Sequence, residues 1–395
     1  MTNKNLKVSD PFTLDQIEEK YTNCILKQDF YDIDYALEWL KNNESAIDMA
    51  NYINKILKPK KVVDIGCGIG KLVGELQKKN IDAYGIEFSD AFINASPVKK
   101  YIFKGNILDL DHVASGDYDL VICMEVLEHL PPTFLNKAIN NLKKICKNKI
   151  LITVPAFGPN KFGYSGLPLN ETCWLEDARK NISFRNLVVD ENNIPDLGHI
   201  SLATYEWWTQ KFLKNGLIRD IKCENEGYIN HNFLKYHWNT FILNRLDENC
   251  INIKNHNFFF ENLFDPEDWG REIGKIRWTE KRFDVWLSFT KPIHEIVIEF
   301  YSGPKEIVYE RKLKIICKRL VETDEQQLQQ QDICIKSYSI LPDTWYKLNL
   351  PISVQLPDVI KFECELDYAF IPEYLIRNGD NRSLGIALKF FGGVS

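Results

Sequence analysis

The sequence predicts an α/β domain built on a largely parallel sheet, with a helical segment before it and an antiparallel β domain after it. Short apolar strands alternate with helices between residues 51 and 250, which is typical of a parallel sheet covered by helices on both faces. Beyond residue 250 the helical period disappears and short strands follow one another. A chain of 395 residues is also too long for one ordinary domain. We therefore expect a helical cap at 1–50, a core domain at 51–250 and a β-sandwich at 251–395.

The predicted cap has apolar residues at helical spacing in two blocks, Thr13 to Lys27 and Ile33 to Leu57. Two interpretations of these helices stay open. They either pack over a ligand cleft of the core domain or form a plain amphipathic cap, and the spacing is the same in both cases.

The start of the core domain combines a strand, a glycine-rich turn and a helix. An apolar strand ends at Ile65, the turn contains Gly66, Gly68 and Gly70, and a helix is predicted at 71–79. Glycine leaves no side chain between the backbone and a ligand, so a bulky cofactor can lie across such a turn. The same pattern also fits a purely structural tight turn, and the residues that follow decide between the two.

A second strand ends in Glu87, where a carboxylate can accept hydrogen bonds from the hydroxyl groups of a ribose. Further buried strands are predicted within the runs 101–109, 119–129 and 149–155. With these strands in view, residues from about 50 to 245 resemble the class I S-adenosylmethionine-dependent methyltransferases. The resemblance is strongest to the branch that contains ubiquinone-pathway O-methyltransferases and enzymes of glycan gene clusters.

The resemblance implies a Rossmann-like sheet of seven strands and S-adenosylmethionine as the cofactor. Asp64, just before the turn, agrees with this because an acid favours a cationic sulfonium over the pyrophosphate of a dinucleotide. By resemblance, Asp64 and the turn would hold the methionine part, Glu87 the ribose, and Phe88 would lie beside the adenine. Asn106 stands where the family often has Asp, and its carbonyl oxygen can still accept a hydrogen bond. The complete expected set is Asp64, Gly66, Cys67, Gly68, Glu87, Phe88, Asn106, Ile107 and Met124.

Residues 125–129, Glu-Val-Leu-Glu-His, carry several titratable side chains. They follow the fourth strand, at the sheet edge where ligands of parallel sheets bind. In one interpretation, His129 or Glu128 is the general base for an acceptor hydroxyl, and His199 lies at the mouth of the cleft. In a second, Glu125, Glu128, His129 and His199 bind Mg²⁺ or Mn²⁺, which positions and acidifies the hydroxyl. Small-RNA 2′-O-methyltransferases carry a similar Glu-x-x-Glu-His with a later His and use it for a metal. In a third, Glu128 and His129 only cap the next helix.

Residues 156–199 lack clear strand periodicity and are predicted to form a long loop that covers the substrate. Aromatic side chains in this stretch argue against disorder, namely Phe162, Tyr164, Trp174 and Phe184. Thr204 is predicted to be the N-cap of the last core helix, in which at least one of Trp207 and Trp208 packs in the core.

The C-terminal segment is predicted to be an antiparallel β-sandwich with a Gln-rich loop at 324–332. Its predicted strands cover 283–289, 295–301, 312–318, 344–350 and 359–366. Residues 269–279 and 370–386 resemble a β-sandwich module that is often fused to polysaccharide-biosynthesis enzymes. Within it, Asp380 and Arg382 are expected to pair across a turn, and an exposed Trp278 or Trp345 could stack on a sugar ring.

The composition indicates a cytoplasmic enzyme. The net charge of −6 disfavours a nucleic-acid partner, because proteins that bind a phosphate backbone usually show a basic balance. The N-terminus lacks the apolar core of a signal peptide, and no run approaches the roughly 18 apolar residues of a membrane span. The 10 cysteines are scattered without Cys-x-x-Cys spacing, as expected for reduced, buried thiols. The oligomeric state stays open.

We therefore expect an S-adenosylmethionine-dependent methyltransferase that modifies a hydroxyl oxygen of a sugar, nucleotide sugar or glycan. One alternative keeps the fold and changes the acceptor to a small phenol, an amine or an RNA 2′-hydroxyl. Another is a glycan-binding protein whose cofactor fold is vestigial, although the intact turn and Glu87 argue against it. If the protein is an enzyme and does not act on RNA, its partner is a small-molecule or glycan acceptor.

Overall fold

The computed structural model describes residues 6–11, 13, 15–17, 44–160, 163–165, 183–220, 223–224, 226–227, 240–245, 259–263, 267–269, 275–289, 293–324, 326–354, 358–377 and 379–394. The chain divides into two units, Met1–Arg245 with Thr323–Gln327 and Leu246–Glu322 with Leu328–Ser395. Most of the first predicted cap helix, together with Phe162 and Trp174, lies outside the described residues. Within the described part of the chain, no helix is long and apolar enough to cross a bilayer.

The elements of the first unit follow one another along the chain as alternating strands and helices. Its described strands are β1 (Lys7–Val8), β2 (Lys61–Ile65), β3 (Asp82–Glu87), β4 (Ile102–Lys104), β5 (Tyr118–Met124), β6 (Cys146–Thr153), β7 (Ala156–Asn160), β8 (Gly163–Ser165), β9 (Val188–Val189), β10 (Ala203–Thr204), β11 (Leu217–Arg219) and β12 (Thr240–Arg245). Its α-helices are α1 (Glu44–Tyr52), α2 (Lys71–Lys78), α3 (Asp90–Ala95), α4 (Leu135–Ile145) and α5 (Tyr205–Lys214). A π-helical turn follows α1 at Ile53–Leu57, and 3₁₀ turns occur at Lys99–Tyr101, Leu127–His129, Pro132–Phe134 and Asp196–Gly198.

A seven-stranded sheet lies at the centre of this unit, in the order β11-β12-β6-β5-β2-β3-β4. Strands β2 to β6 pair in parallel, whereas β12 runs antiparallel to both β6 and β11. The predicted Rossmann-like sheet of seven strands is thereby confirmed. Two smaller sheets, β1-β9 and β10-β7-β8, are separate from it.

The centre of the sheet is buried on both faces, which explains why its strands read as continuous apolar runs. Residues 120–123 of β5 are almost inaccessible to solvent. Helix α2 contributes Leu72, Val73 and Leu76, at helical spacing, to the same hydrophobic cluster as Val62 of β2. Each such buried side chain contributes roughly 1.5–3 kcal/mol, so this packing fixes the turn between β2 and α2.

Helix α5 begins where the sequence predicts. Thr204 Oγ1 accepts a hydrogen bond from Trp207 N at 2.9 Å, which satisfies one of the free N–H groups of the first turn. Both Trp207 and Trp208 are buried, and their ring centroids lie 5.0 Å apart. The expected N-cap and the expected packing of the tryptophans are therefore confirmed.

The prediction of a loop without strands at 156–199 is wrong for its described part. Strands β7, β8 and β9 fall within it, and β7 pairs with both β8 and β10. Gly158 and Pro159 occur in β7, and both residue types are uncommon in strands, so the sequence pattern hides this element.

The described residues of the second unit form one antiparallel sheet and a short helix. Its described strands are β13 (Phe259–Leu263), β14 (Glu267–Asp268), β15 (Lys275–Phe289), β16 (Ile293–Tyr301), β17 (Arg311–Glu322), β18 (Leu328–Ile340), β19 (Trp345–Val354), β20 (Asp358–Leu366) and β21 (Ala387–Val394), and its helix is α6 (Pro372–Ile376). The sheet order is β18-β17-β20-β15-β21-β16-β19, and β13 and β14 also pair with β15. All of these pairings are antiparallel, as predicted.

The two-layer sandwich expected for this unit takes a different form. Strand β15 is 15 residues long, and it pairs with β20 through residues 282–289 and with β21 through Arg277 and Trp278. Because one strand belongs to both halves, the unit is a single antiparallel sheet that is nearly barrel-like.

Two details of this unit correct the sequence-based expectations. The Gln-rich loop predicted at 324–332 is wrong for residues 328–332, which belong to β18. Because β18 is an edge strand, exposed glutamines are well placed there and weaken the strand pattern in the sequence. The prediction that Trp278 is exposed is also wrong, since only 6% of its surface is accessible and it packs against Trp269 and Phe370.

The cap of α5 gives a first testable prediction. Thr204→Ala removes the acceptor for Trp207 N and should cost about 1 kcal/mol of unfolding free energy, while Thr204→Ser keeps the acceptor and should cost much less. Thermal unfolding followed by circular dichroism measures both variants. Equal Tm values for the two variants would contradict this role of the hydroxyl.

Candidate active site

The glycine turn after β2 lies at the carboxyl edge of the sheet. Gly66 and Gly68 have φ values of +75° and +55°. A Cβ atom on Gly66 would overlap Val126 Cγ2, so the turn packs directly against the segment that carries Glu128. A Cβ atom on Gly68 would meet nothing within 4 Å. Gly66 is thus required by packing, whereas the backbone at Gly68 faces open space that a ligand can fill.

The Glu87 carboxylate joins the glycine turn to the end of β3. Its Oε2 accepts a hydrogen bond from Gly68 N at 2.7 Å, and its Oε1 accepts from Phe88 N and Ser89 N, both at 2.8 Å. Burial raises the pKa of Glu87, while the three backbone N–H groups act in the opposite direction. A carboxylate has about four acceptor positions, so one position remains for a further donor such as a ribose hydroxyl. Sequence spacing does not reveal the contact with Gly68.

Asp64 is a second buried acid next to the turn. Burial, reinforced by the negative charge of Glu87, raises the pKa of Asp64 from 3.8 to about 7. Two neighbouring buried carboxylates repel one another unless a proton or a cation compensates them. The pair therefore favours a cationic ligand and disfavours a phosphate.

The other residues expected to bind the cofactor follow the ends of parallel strands. Cys67 and Met124 pack against the hydrophobic core, and Ile107 is buried. Asn106 Oδ1 accepts a hydrogen bond from Leu108 N at 2.9 Å. A carbonyl oxygen has two lone pairs, so Asn106 can still accept one hydrogen bond from a ligand.

A strained turn connects β5 to the catalytic candidates. Glu125 has a φ of +54°, and its N–H donates to Thr153 O at 3.0 Å. A left-handed conformation is uncommon for glutamate and costs of order 1–3 kcal/mol, so the surrounding structure must hold it. The 3₁₀ turn at Leu127–His129 follows at once and buries Glu128 completely. No sequence signal indicates this conformation, because Glu rarely adopts it.

Backbone hydrogen bonds bring His199 to Glu128 and His129 from a distant part of the chain. Ile200 N and Ser201 N both donate to Glu128 O, at 2.8 and 2.9 Å. His129 Nδ1 lies 3.1 Å from Gly198 O, which can only accept a hydrogen bond, so this nitrogen carries the ring proton. The two segments are thereby joined on both sides of His199.

Glu128, His129 and His199 form a compact cluster. His129 Nε2 and His199 Nε2 lie 3.9 and 3.8 Å from Glu128 Oε1, and one ligand atom from each residue lies within 4.8 Å of the others. Glu128 is 0% exposed, and no N–H or hydroxyl group of another residue donates to its carboxylate, whose side-chain partner is the carboxyl group of Glu125. The cluster brings together three of the four residues predicted to bind a metal. Glu125 is not one of these three, although its carboxyl group hydrogen-bonds with that of Glu128.

The electrostatics of the cluster follow from its burial. Burial, together with the charge of Glu125, raises the pKa of Glu128 well above its usual range. Burial lowers the pKa of His129 to about 4, and burial together with His129 lowers the pKa of His199 to about 3. Both imidazoles are therefore neutral at pH 7, which is the form that binds metals.

The helix caps of the third interpretation are not seen in the described residues, while a purely structural role of Glu128 and His129 in shaping the cleft stays a prediction. Neither the 3₁₀ turn at Pro132–Phe134 nor α4 has a side-chain hydrogen bond at its N-cap. A buried carboxylate and two imidazoles can instead bind a divalent cation, or one of them can accept a proton from a substrate.

Comparisons with known proteins identify the domain that contains this site. Residues 39–212 match the model of a methyltransferase domain family. A ubiquinone biosynthesis O-methyltransferase of Acinetobacter baylyi is 33% identical over 97 residues, which is 22% of this chain and 41% of that protein. The enzyme of the same name from Nitrosomonas europaea is 33% identical over 92 residues, 20% of this chain and 39% of its own length. The chain thus spans about two-fifths of the length of these relatives.

Solved structures with a similar fold include other methyltransferases. One from Archaeoglobus fulgidus is 15% identical, covers 51% of this chain and 92% of its own, and has a TM-score of 0.34. The magnesium protoporphyrin IX methyltransferase of Synechocystis with bound SAH is 19% identical, covers 45% of this chain and 74% of its own, and has a TM-score of 0.29.

The family match and the glycine turn held by Glu87 show that the chain carries a class I S-adenosylmethionine-dependent methyltransferase domain. Within that class, the chain is similar to the O-methyltransferases of ubiquinone biosynthesis.

The raised pKa of Asp64 predicts a pH dependence of stability. Between about pH 4 and pH 7 the folded protein holds a proton on Asp64 that the unfolded chain has lost, so this residue makes stability fall as the pH rises. Asp64→Asn removes this contribution. From pH 5 to pH 7, the variant should lose less unfolding free energy than the wild type, by up to about 3 kcal/mol.

Urea unfolding at several pH values measures this difference. Asp109→Asn, at an exposed aspartate of the same unit, is the matched control and should follow the wild-type pH profile. Parallel profiles for wild type and Asp64→Asn would contradict the assignment.

Proposed function

We propose that the protein transfers the methyl group of S-adenosylmethionine to a hydroxyl oxygen, with a divalent cation held by Glu128, His129 and His199. The observation that carries this proposal is the buried Glu128 carboxylate, which lies beside a second carboxyl group, receives no hydrogen bond from another residue's N–H or hydroxyl group, and is faced by two imidazole nitrogens. The glycine turn packs against the same segment through Gly66 and Val126. A cofactor on the turn and an acceptor at the cluster would therefore be neighbours.

The residues around the turn fit S-adenosylmethionine. The backbone at Gly68 has space beside it, Glu87 has one acceptor position left, and a cationic ligand would favour the ionised form of Asp64, whose pKa burial raises to about 7. When bound, the cofactor supplies a methyl group on a positively charged sulfur. The contribution of the chain is then to hold that methyl group and the acceptor oxygen in line, since the sulfonium is already reactive.

The cofactor site is tested by substituting glycine at two positions with the same backbone strain. Gly68→Ala and Gly116→Ala both place a Cβ at a positive φ, +55° and +66°, with nothing within 4 Å. Both should therefore lose similar stability, about 1 kcal/mol. Only Gly68→Ala should weaken S-adenosylmethionine binding, by about tenfold or more, because its methyl group enters the space proposed for the cofactor.

Isothermal titration of the three proteins with S-adenosylmethionine gives the Kd values. Equal Kd values for Gly68→Ala and Gly116→Ala, or no binding by the folded wild type, would sink the proposed cofactor site.

The case for a cation rests on the buried carboxyl group of Glu128, because burial favours its protonated form unless a cation compensates the charge of the carboxylate. A buried carboxylate without a partner costs several kcal/mol, and two neutral imidazoles cannot neutralise it. One carboxylate and two imidazoles suit a divalent transition metal better than Mg²⁺, which prefers oxygen ligands alone. Bound here, such an ion would bind an acceptor oxygen and lower the pKa of its hydroxyl.

Binding of Mn²⁺ tests the cation site. Wild-type protein should deplete the electron paramagnetic resonance signal of free Mn²⁺, whereas Glu128→Gln and His199→Ala should bind it about tenfold or more weakly. His112→Ala, at an exposed histidine of the same unit, is the matched control and should bind like the wild type.

Glu128→Gln should weaken Mn²⁺ binding but raise the thermal stability of the metal-free protein. Without metal its Tm should be higher than that of the wild type, because folding of the wild type near pH 7 must either protonate Glu128 or bury its charge, and Mn²⁺ should raise the Tm of the wild type only. If chelator-treated enzyme stays fully active and binds no Mn²⁺, the cation proposal is wrong. Glu128 or His129 would then act as the general base.

The proposed acceptor is a hydroxyl of a sugar, nucleotide sugar or glycan in the cytoplasm. The net charge of −6 disfavours a nucleic acid, and the described cysteines form no disulfide, which fits a reducing compartment. A panel of sugars, nucleotide sugars, catechols and short RNAs with radiolabelled S-adenosylmethionine tests this class. Label transfer to a catechol or an RNA alone would select the alternative acceptors.

A further inference from the structure

A row of aromatic rings runs across the sheet of the second unit and ends at its surface. Phe370, Trp278, Trp269, Tyr301 and Trp345 follow one another, with successive ring centroids 5.5, 5.8, 5.8 and 5.5 Å apart. The inner end of the row is buried at Trp278, and the outer end, Trp345, is 40% exposed. The packed inner rings hold Trp345 in place, so its accessible face is preorganised.

The position of Trp345 in the sheet explains its exposure. It lies at the start of the edge strand β19, directly opposite Tyr301 of β16. The following residues on the same face of β19 are Lys347 and Asn349, and both are exposed. The surface around the indole is therefore polar, which separates it from the large apolar patches used for protein docking.

The charges beside Trp345 are balanced by local partners. Lys389 Nζ donates to Glu299 Oε1 at 3.0 Å and lies 5.6 Å from the centre of the Trp345 ring. Tyr301 Oη donates to Asp343 Oδ1 at 2.7 Å. Two carboxylates, Glu299 and Asp343, and two ammonium groups, Lys389 and Lys347, thus lie on this part of the surface, which has no excess of positive charge.

We propose that this surface, formed by Trp345, Tyr301, Asp343, Glu299, Lys389 and Asn349, binds a saccharide. The CH face of a pyranose is apolar and stacks on an aromatic ring, while its hydroxyl groups require donors and acceptors at the rim. Both features are present around Trp345. A nucleic acid would instead require a basic surface for its phosphates, and the two carboxylates oppose that.

The inference goes beyond the proposed methyl transfer, because it concerns recognition by the second unit alone. It requires neither S-adenosylmethionine nor a metal. Saccharide binding and methyl transfer can therefore fail independently of each other.

A glycan microarray tests this proposal with the full-length protein in the absence of cofactor. Immobilised plant and bacterial oligosaccharides are the probes, with single-stranded RNA spots on the same slide. Wild-type protein should bind at least one class of oligosaccharide and none of the RNA spots. Binding to RNA alone, or to no oligosaccharide, would overturn the proposal.

Variants of Trp345 separate stacking from a general effect on the fold. Trp345→Ala and Trp345→Leu should weaken binding to the selected oligosaccharide by about tenfold, whereas Trp345→Phe keeps a ring and should weaken it less. Leucine preserves apolar packing, so it reports on binding even if the alanine variant is unstable. Tyr374→Ala, at an exposed aromatic residue outside the row, is the matched control and should bind like the wild type. Equal affinity for Trp345→Leu and the control would overturn the proposal.

Discussion

The parallel pairing of β2, β3 and β5 is the constraint on which the site depends. The register aligns Ile65 with Ile86 and Asp64 with Ile122, so the three strands end at one edge of the sheet. The turns that follow these strands carry the glycines, Glu87 and Glu128. A parallel sheet therefore concentrates polar groups at the same edge and buries them under the connecting segments. Neither the cofactor turn nor the Glu128 cluster could form without that alignment.

Glu87 and Glu128 are both buried at this edge, but they differ in how their carboxylates are compensated. Glu87 accepts three backbone hydrogen bonds and is largely satisfied by the protein. Glu128 receives none from another residue at its carboxylate, and its backbone oxygen instead fixes the segment after His199. The first acid therefore links the glycine turn to the end of β3, whereas the second is stable only with a proton or a cation beside it.

The sequence predicts the elements whose signals are local. The apolar strands, the glycine turn and the Thr204 cap depend on neighbouring residues, and each appears where expected. The contacts that build the cluster are not local, because Ile200 and Ser201 pair with Glu128 across more than 70 intervening positions. Glu125 in a left-handed conformation, the buried Trp278 and the polar edge strand β18 are likewise decided by tertiary packing, which overrides residue preferences.

The long strand β15 also bears on how the second unit unfolds. Its N-terminal part pairs with β21 and its C-terminal part with β20, so the two halves of the sheet share this strand. Detaching either half removes one of the neighbouring strands of β15 and exposes apolar side chains such as Val285 and Leu287. Unfolding of one half therefore also destabilises the strand that the other half uses. The two halves therefore constitute one cooperative folding unit, despite their different partners.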